Sequence, residues 1–562
     1  MNNLKRSAIL GHYAWGAFLL CAIFFFFVYP LVRLFFLSFQ GKEGLTLSLY
    51  WNMLASARVQ KGILNTIGIV AFSSLLSVTV GVFEAWLLAY TDIRGKSLLR
   101  ALFLVPFVIP SYITSLAWSR MMGDSGFLSQ ILQSVLPPGF AVPTIYGWWG
   151  IVWVMGICNA PLAFMFCLSA MRKIPRELEW AARCSGCGPW ETFFSVTLPQ
   201  ALPGIAGGAL TVALAGIDNF GIPAFLGANK GVNVLSTLIY QEVMGFGPSA
   251  FGRAACLSVI LGLLALLCCF VLWRLLGKSE SLESMVPDMR SRVSLGKARW
   301  KVELFIWVFI VVTSLMPLVS MLAVSLVKAY GLRFVPGNIT LDHFSFLFQN
   351  RKAVMALLNS FKLSLFTGFV ALVIGSAAAY VRIRRPGNIS RFIEAAFTLP
   401  YVLPGTVFAL SMIITWIEPI PGWRPGIYGT ATLLGMVYVV RFSALQLRAT
   451  ASALQQLDRS VEEAAATSGA GRAARWASII IPLVATGLFS GFFMTAAHAF
   501  TELTVSSILG SVGSETIGMV VLNFEQSGNI TVSCAFSVLA LLLMGVFLIP
   551  GAILHRRNSI RG

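Results

Sequence analysis

The chain has 562 residues, 57% of them hydrophobic and 11% charged, with a mean hydropathy of +0.81. Soluble domains carry about 25% charged residues, so this composition excludes a soluble globule and implies an integral membrane protein. The net charge of +19 would suggest a nucleic-acid partner in a soluble chain, but here the basic residues must first be sorted by side of the membrane.

Twelve apolar stretches are long enough to cross a bilayer as helices, each needing roughly 20 residues. They begin near Ala14, Asn65, Ala101, Tyr146, Gln200, Phe251, Leu304, Val354, Phe392, Tyr428, Ile480 and Val532. The first run, Ala14 to Phe39, is interrupted only by Arg33. It is too long for a signal-peptide core and reads as a retained helix. With the N-terminus inside, Lys5, Arg6, Arg94, Lys96, Arg100, Arg172, Lys173, Arg176 and Arg183 fall on the cytoplasmic side. So do Lys278 to Lys301, Arg382 to Arg391, Arg448, Arg459, Arg472, Arg475, Arg556, Arg557 and Arg561, whereas Gly123 to Gly147 has no Lys or Arg. The positive charge is therefore a topology signal, with both termini inside and lipid, not nucleic acid, as the surrounding partner.

The second half of the chain repeats the first. Asn65 answers Asn359, Gly81 answers Gly375, and Phe103, Pro106 and Pro110 answer Phe397, Pro400 and Pro404, all at a separation of 294 residues. Further on, Gly186 answers Gly469 and Pro199 answers Pro482 at 283. The difference places about 11 extra residues in the first copy around Pro137, Pro138 and Pro143, an outward loop where insertions are best tolerated. The expected fold is all-α, with twelve transmembrane helices as two parallel six-helix repeats: residues 1–277, a cytoplasmic linker 278–302, and residues 303–562. An even number of spans per repeat makes the copies parallel. The proline pairs of the third and ninth spans should break or kink those helices.

One polar composite recurs between apolar spans: a helix, a glycine, a second short helix and a proline opening an apolar run. It reads IPRELEWAARCSGCGPWETFFSVTLPQALPGI from Ile174 and LDRSVEEAAATSGAGRAARWASIIIPLVATGL from Leu457. In the second copy Val461, Ala464, Ala465 and Gly469 lie near one helical face while Glu462 and Glu463 can meet basic groups. A small apolar face with acidic residues suits the groove of a partner; an amphipathic helix at the membrane interface is the plainer alternative.

No catalytic constellation is present. Of four histidines only His498 lies in an apolar span. The nearest approach to a phosphate-binding loop, Gly95, Lys96 and Ser97, has Tyr90 where the first glycine belongs. Any ATP hydrolysis must come from another chain. Cys184 and Cys187 form a single CxxC with no second pair nearby, short of the four ligands of a structural zinc site.

The two composites resemble the EAA loop of binding-protein-dependent ABC importer permeases, whose pattern is EAA, three residues, Gly, then a hydrophobic stretch ending in Leu-Pro. Glu463, Ala464, Ala465, Gly469 and Ile481-Pro482 match in the second copy, and Ala181, Ala182, Gly186 and Leu198-Pro199 in the first. The first copy has Trp180 at the glutamate position, with Glu179 one residue early. The resemblance implies a type I importer permease in the bacterial inner membrane. Each loop would insert as a coupling helix into one of two cytoplasmic ABC ATPase copies, which bind the ATP and Mg, so Glu463 should matter more for docking than Glu179. A periplasmic or lipid-anchored binding protein would deliver the substrate. DNFGIPAFLG from Asp218, VLSTLIY from Val234 and FTELTVSSIL from Phe500 are similar to segments of ferric iron permeases, with thiamine and aminoethylphosphonate permeases as neighbours. The chain is thus expected to be a transport subunit, not an enzyme, with no cofactor of its own.

Ionisable residues within spans cost roughly 2.5–3.5 kcal/mol at the bilayer centre, so they face a cavity or a partner. Glu84, Asp218, Glu502 and His498, one turn before Glu502, are therefore candidates for a translocation path, and carboxylates suit a hard cation. Local pairing or solvation at helix ends is the alternative. An ion-coupled secondary transporter would need no ATPase and is the competing class; a membrane-embedded redox enzyme would need paired intramembrane histidines.

Overall fold

The computed structural model describes residues 18–41, 44–123, 126–135, 137, 144–245, 249–276, 288, 290–332, 334–417 and 426–559. Lys5, Arg6 and Ala14, the insertion at Pro138 and Pro143, Lys278 and Arg561 lie outside them.

Apart from the short helices Ser48–Ala55 and Phe127–Val135, and Asp342–Gln349 in the second copy, the helices of the first copy are α1 (Phe18–Ser38), α2 (Ala57–Tyr90), α3 (Lys96–Val108), α4 (Ser111–Met122), α5 (Trp148–Lys173), α6 (Arg176–Cys184), α7 (Pro189–Asp218), α8 (Gly221–Leu226), α9 (Leu235–Met244) and α10 (Ala250–Leu276). Those of the second are α11 (Gly296–Ser325), α12 (Arg351–Arg384), α13 (Asn388–Val402), α14 (Gly405–Trp416), α15 (Ala431–Gln455), α16 (Arg459–Thr467), α17 (Ala473–Phe500), α18 (Thr504–Leu509), α19 (Ile517–Gln526) and α20 (Ile530–Ser559). Each helix of the first set has its counterpart ten numbers later. α2 and α12 have 34 residues each, α4 and α14 twelve, and α6 and α16 nine.

Helices dominate because a bilayer offers the backbone no water, so each N–H and C=O must find its partner within the segment. Small residues then let helices approach closely. At Gly81 of α2 an added Cβ would fall within 2.6–2.9 Å of Ala160, Ala163 and Phe164 on α5, and at Gly375 of α12 it would fall at 3.0–3.1 Å from Ser443 and Gln446 on α15. The repeated glycines hold the same crossing in both copies.

The proline pairs break their spans outright. α3 and α4 meet at 99° and α13 and α14 at 109°. Pro106 and Pro400 sit inside the first member of each pair, and Pro110 and Pro404 precede the first residue of the second. A residue before proline avoids the helical region, which ends α3 and α13 where they do. Among the described residues nine helices are long and apolar enough to cross a membrane, rising to eleven when each bent pair counts as one span. The twelfth expected span, from Tyr428, is α15, which is 25 residues long but carries Arg441, Gln446 and Arg448.

The copies are interlocked. α1 packs on α13 and α14 of the second copy, with Phe27 stacked on Phe397 and Phe26 on Trp416. In return α11 packs on α4 of the first.

Candidate functional site

Polar side chains gather, among other places, at the paired short helices α6 and α16 and in a cavity between the two copies.

Each short helix ends at a glycine in the left-handed region, Gly186 (φ 95°) and Gly469 (φ 84°). In both, the N–H one residue further on returns to a carbonyl in the last turn, Cys187 to Ala182 and Ala470 to Ala465, each at about 3.0–3.1 Å. This cap requires φ > 0 after the helix, which accounts for the glycine of the motif. Cys184 is exposed and Cys187 half-buried, and both are free thiols.

A buried carboxylate roots each helix. On α6 it is Glu179, which accepts from the hydroxyls of Tyr90 at 2.7 Å and Thr197 at 2.9 Å and pairs with Arg292 at 3.2 Å. On α16 it is Glu462, which accepts from Tyr380 Oη at 3.1 Å and Arg384 Nε at 2.6 Å. These glutamates are related by the 283-residue offset. Glu179 is thus the counterpart of Glu462, not a displaced version of Glu463. The motif glutamate Glu463 and its counterpart Trp180 both point outward, Trp180 57% exposed and Glu463 65% exposed and paired to Arg459 one turn back. Ala181 and Ala464 are exposed, Ala182 is half-buried and Ala465 buried. The outer face of α6 therefore presents Leu178 and Trp180 beside the charged Glu177 and Arg183, while that of α16 presents Val461, Glu463 and small residues beside Arg459. Asp458 caps α16 through the Ser460 N–H, which holds its carboxyl below the usual range.

The cavity has a volume of about 540 Å³ and lies where the α3–α4 break meets the ends of α7 and α17. Asn159, Asp218, Tyr401, His498 and Thr501 are among its lining residues. Asp218 spans the copies: its carboxylate meets Arg441 of α15 at 2.8 Å and accepts the Gly405 N–H, the first of α14, at 2.5 Å. Arg441 also donates to Leu403 O at 3.3 Å, so one guanidinium ties the α13–α14 bend to α7. The offset places Thr501 opposite Asp218 and Cys158 opposite Arg441. Both line the same cavity, so the ion pair has no twin. His498 faces the cavity with Nδ1 2.9 Å from Met494 O.

The other two path candidates lie elsewhere. Glu502 is buried with its carboxylate on the N–H groups of Val505 and Ser506 at 2.9–3.1 Å, capping α18. Its counterpart Asn219 caps α8 in the same way through Ile222 N–H at 3.0 Å. Glu84 is buried in α2 with Oε2 unpartnered and does not line the cavity. Among the described residues no group of three or more His, Cys, Asp or Glu is placed to hold a metal ion. Sequence reasoning missed Arg441 and Arg292; an arginine inside an apolar run was the available signal for the first.

The profile of one family, described as "Binding-protein-dependent transport system inner membrane component", matches residues 77–278 and again 371–559. Among curated proteins the chain is 24% identical to the ferric transport system permease protein FbpB of Actinobacillus pleuropneumoniae, over 94% of this chain and 76% of that one. It is 26% identical to the putative 2-aminoethylphosphonate transport system permease protein PhnU of Salmonella typhimurium (strain LT2), over 46% of this chain and 90% of that one. A solved bacterial ABC transporter involved in the import of the acidic polysaccharide alginate aligns with 50% of this chain and 99% of its own at 17% identity, with a TM-score of 0.41. Because the two matched segments together span more than half of its length, this chain belongs to the family of binding-protein-dependent transport system inner membrane components.

Proposed function

We propose that this permease carries ferric iron inward, powered by two copies of a separate cytoplasmic ATPase that bind ATP and Mg and dock on α6 and α16. A periplasmic or lipid-anchored binding protein supplies the cargo from the other side, and both termini face the cytoplasm. The observation that carries the docking reading is the pairing of one inward and one outward glutamate position on each short helix. Glu179 and Glu462 are fastened to the ends of α2 and α12 through Tyr90 and Arg384, while Trp180 and Glu463 are exposed. A partner that seats on the outer face moves a helix that is rigidly tied to a long span. Drawing α6 and α16 together then biases the arrangement of the spans around the cavity, a two-state element set by nucleotide.

The cargo reading rests on the curated relative for ferric transport, which matches 94% of this chain, and on the Asp218 carboxylate at the cavity wall, since hard cations prefer oxygen ligands. The likeness to PhnU supports a second reading, an aminoethylphosphonate. The test is uptake of labelled ferric iron, beside labelled 2-aminoethylphosphonate, into proteoliposomes holding this chain with its ATPase and binding protein. ATP-dependent iron accumulation that Glu463→Ala abolishes is the expected result. ATP-dependent phosphonate accumulation without iron uptake reassigns the cargo, and uptake of either without an ATPase refutes the docking reading.

A further inference from the structure

We infer that the segment joining the two copies is a working part of the first short helix, with Arg292 as its positioning residue. A guanidinium group occupies a corresponding place in each copy. In the second copy Arg384 donates through Nε to Glu462 at 2.6 Å and through Nη2 to Leu457 O at 2.9 Å. In the first copy Arg292 pairs through Nη1 with Glu179 at 3.2 Å and donates through Nη2 to Ile174 O at 2.6 Å. Ile174 and Leu457, like Glu179 and Glu462, are related by the 283-residue offset. The same carbonyl and the same carboxylate thus receive a guanidinium in both copies, but from different parts of the chain.

The reason lies in one residue. The 294-residue offset that aligns α2 with α12 places Tyr90 where the second copy has Arg384. The first copy lacks its own cation there, and a buried Glu179 without one would be an uncompensated charge. Arg292 fills the gap, with its guanidinium 4.8 Å from the centre of the Tyr90 ring and its Nη1 donating to Tyr90 Oη at 3.1 Å. Both side chains of the Arg292–Glu179 pair are almost fully buried, at 5% and 6% exposure.

The described part of the joining segment, Asp288 and the residues from Arg290 onward, is held at several further points. The N–H groups of Arg292 and Val293 donate to Tyr90 O at 2.7 and 2.8 Å. Asp92 takes the Leu295 N–H at 2.9 Å and pairs with Arg299, and its carboxyl is lowered to about 2, chiefly by the Leu295 N–H. Arg176, the first residue of α6, bonds Asp288 and the Arg290 carbonyl, whereas its counterpart Arg459 turns to Glu463 on its own helix. The strap therefore fastens α6 and runs directly into α11, the first span of the other copy. α16 has no comparable link among the described residues.

The inference deepens the docking reading, and the experiment keeps the two apart. Hydrogen exchange is followed in peptides covering residues 176–184 and 459–467 of the purified full chain, with no ATPase present. Arg292→Ala should speed exchange in the first peptide by about tenfold or more and leave the second unchanged, and Arg384→Ala should do the reverse. Adding Tyr90→Arg to Arg292→Ala, which moves the cation to the place it has in the second copy, should restore protection of α6; a general folding defect would not be repaired this way. Unchanged exchange in 176–184 for Arg292→Ala, or no restoration by Tyr90→Arg, overturns the inference. ATP hydrolysis by the assembled transporter is measured in parallel. Loosened α6 with undiminished hydrolysis would refute docking on α6 while leaving the role of Arg292 in place.

Discussion

Asp218 and Arg441 meet at 2.8 Å across the boundary between the copies, with the arginine side chain 6% exposed and the aspartate 37% exposed toward the cavity. Removing the carboxylate leaves a buried cation unpaired, which is costlier than removing both partners. Asp218→Ala should therefore destabilise the chain by about 2–3 kcal/mol, below the roughly 3–5 kcal/mol of a fully buried pair because the cavity side is accessible to solvent. The double variant Asp218→Asn with Arg441→Met should recover most of that. Thermal unfolding in detergent checks the order, and a double variant no more stable than Asp218→Ala would contradict it.

Gly405 tests the same joint from the backbone. A Cβ there would fall 3.0–3.1 Å from the Arg441 guanidinium, and its N–H already donates to Asp218. Gly405→Ala is expected to displace the flexible end of Arg441, keep the α13–α14 bend, and lower transport. Uptake equal to the native chain would show that the ion pair tolerates the shift and does not govern the cavity.

The short helices separate contact from anchorage. Glu463→Ala changes an exposed residue and should alter stability by less than about 0.5 kcal/mol while weakening retention of the ATPase in a pull-down. Glu462→Ala and Glu179→Ala both orphan a buried guanidinium, and each should cost about 3 kcal/mol. The expectation that Glu179 matters less than Glu463 is thus recast: Glu179 is expected to act on stability and Glu463 on docking. A Glu179→Ala chain as stable as the native one would remove the anchoring role.

Gly186→Ala and Gly469→Ala place a side chain in the left-handed region, at about 1–2 kcal/mol each. Nothing lies within 4 Å of the added Cβ at either site, so the cost is purely conformational. Limited proteolysis just after each helix should become faster, and to a similar degree in the two copies.

Glu502 is expected to behave as a cap. Glu502→Ala should cost about 1–2 kcal/mol, as loss of an N-cap does, and Glu502→Gln much less, because the amide oxygen still accepts from Val505 and Ser506. If Glu502→Gln abolished uptake at native stability, the negative charge itself would be required.

Much of this was legible in the chain because it rests on local rules. The proline pairs ending in Pro110 and Pro404 announce broken spans, the glycines Gly186 and Gly469 a sharp turn after each short helix, and the aligned Gly81 and Gly375 the repeat, whose close crossings only the structure shows. What escaped are pairings over long sequence distance. Arg441 lies 223 residues from Asp218, and no periodicity within α15 names its partner. Arg292 was one basic residue among many in a segment whose charge reads as topology, and only the geometry separates it from Arg290 or Lys297. The match of letters aligned Glu463 with a missing glutamate at Trp180, whereas the numbering already placed Glu179 opposite Glu462.

The exchange of α1 and α11 between the copies has a consequence for biosynthesis. α1 leaves the ribosome well before α13 and α14, on which its Phe26 and Phe27 settle. Until then those rings lack the aromatic partners on which they stack in the finished fold, and the first copy awaits residues not yet translated. A truncated nascent chain ending after α10 should accordingly be a preferred target of membrane proteases, and supplying the second copy as a separate polypeptide should protect it.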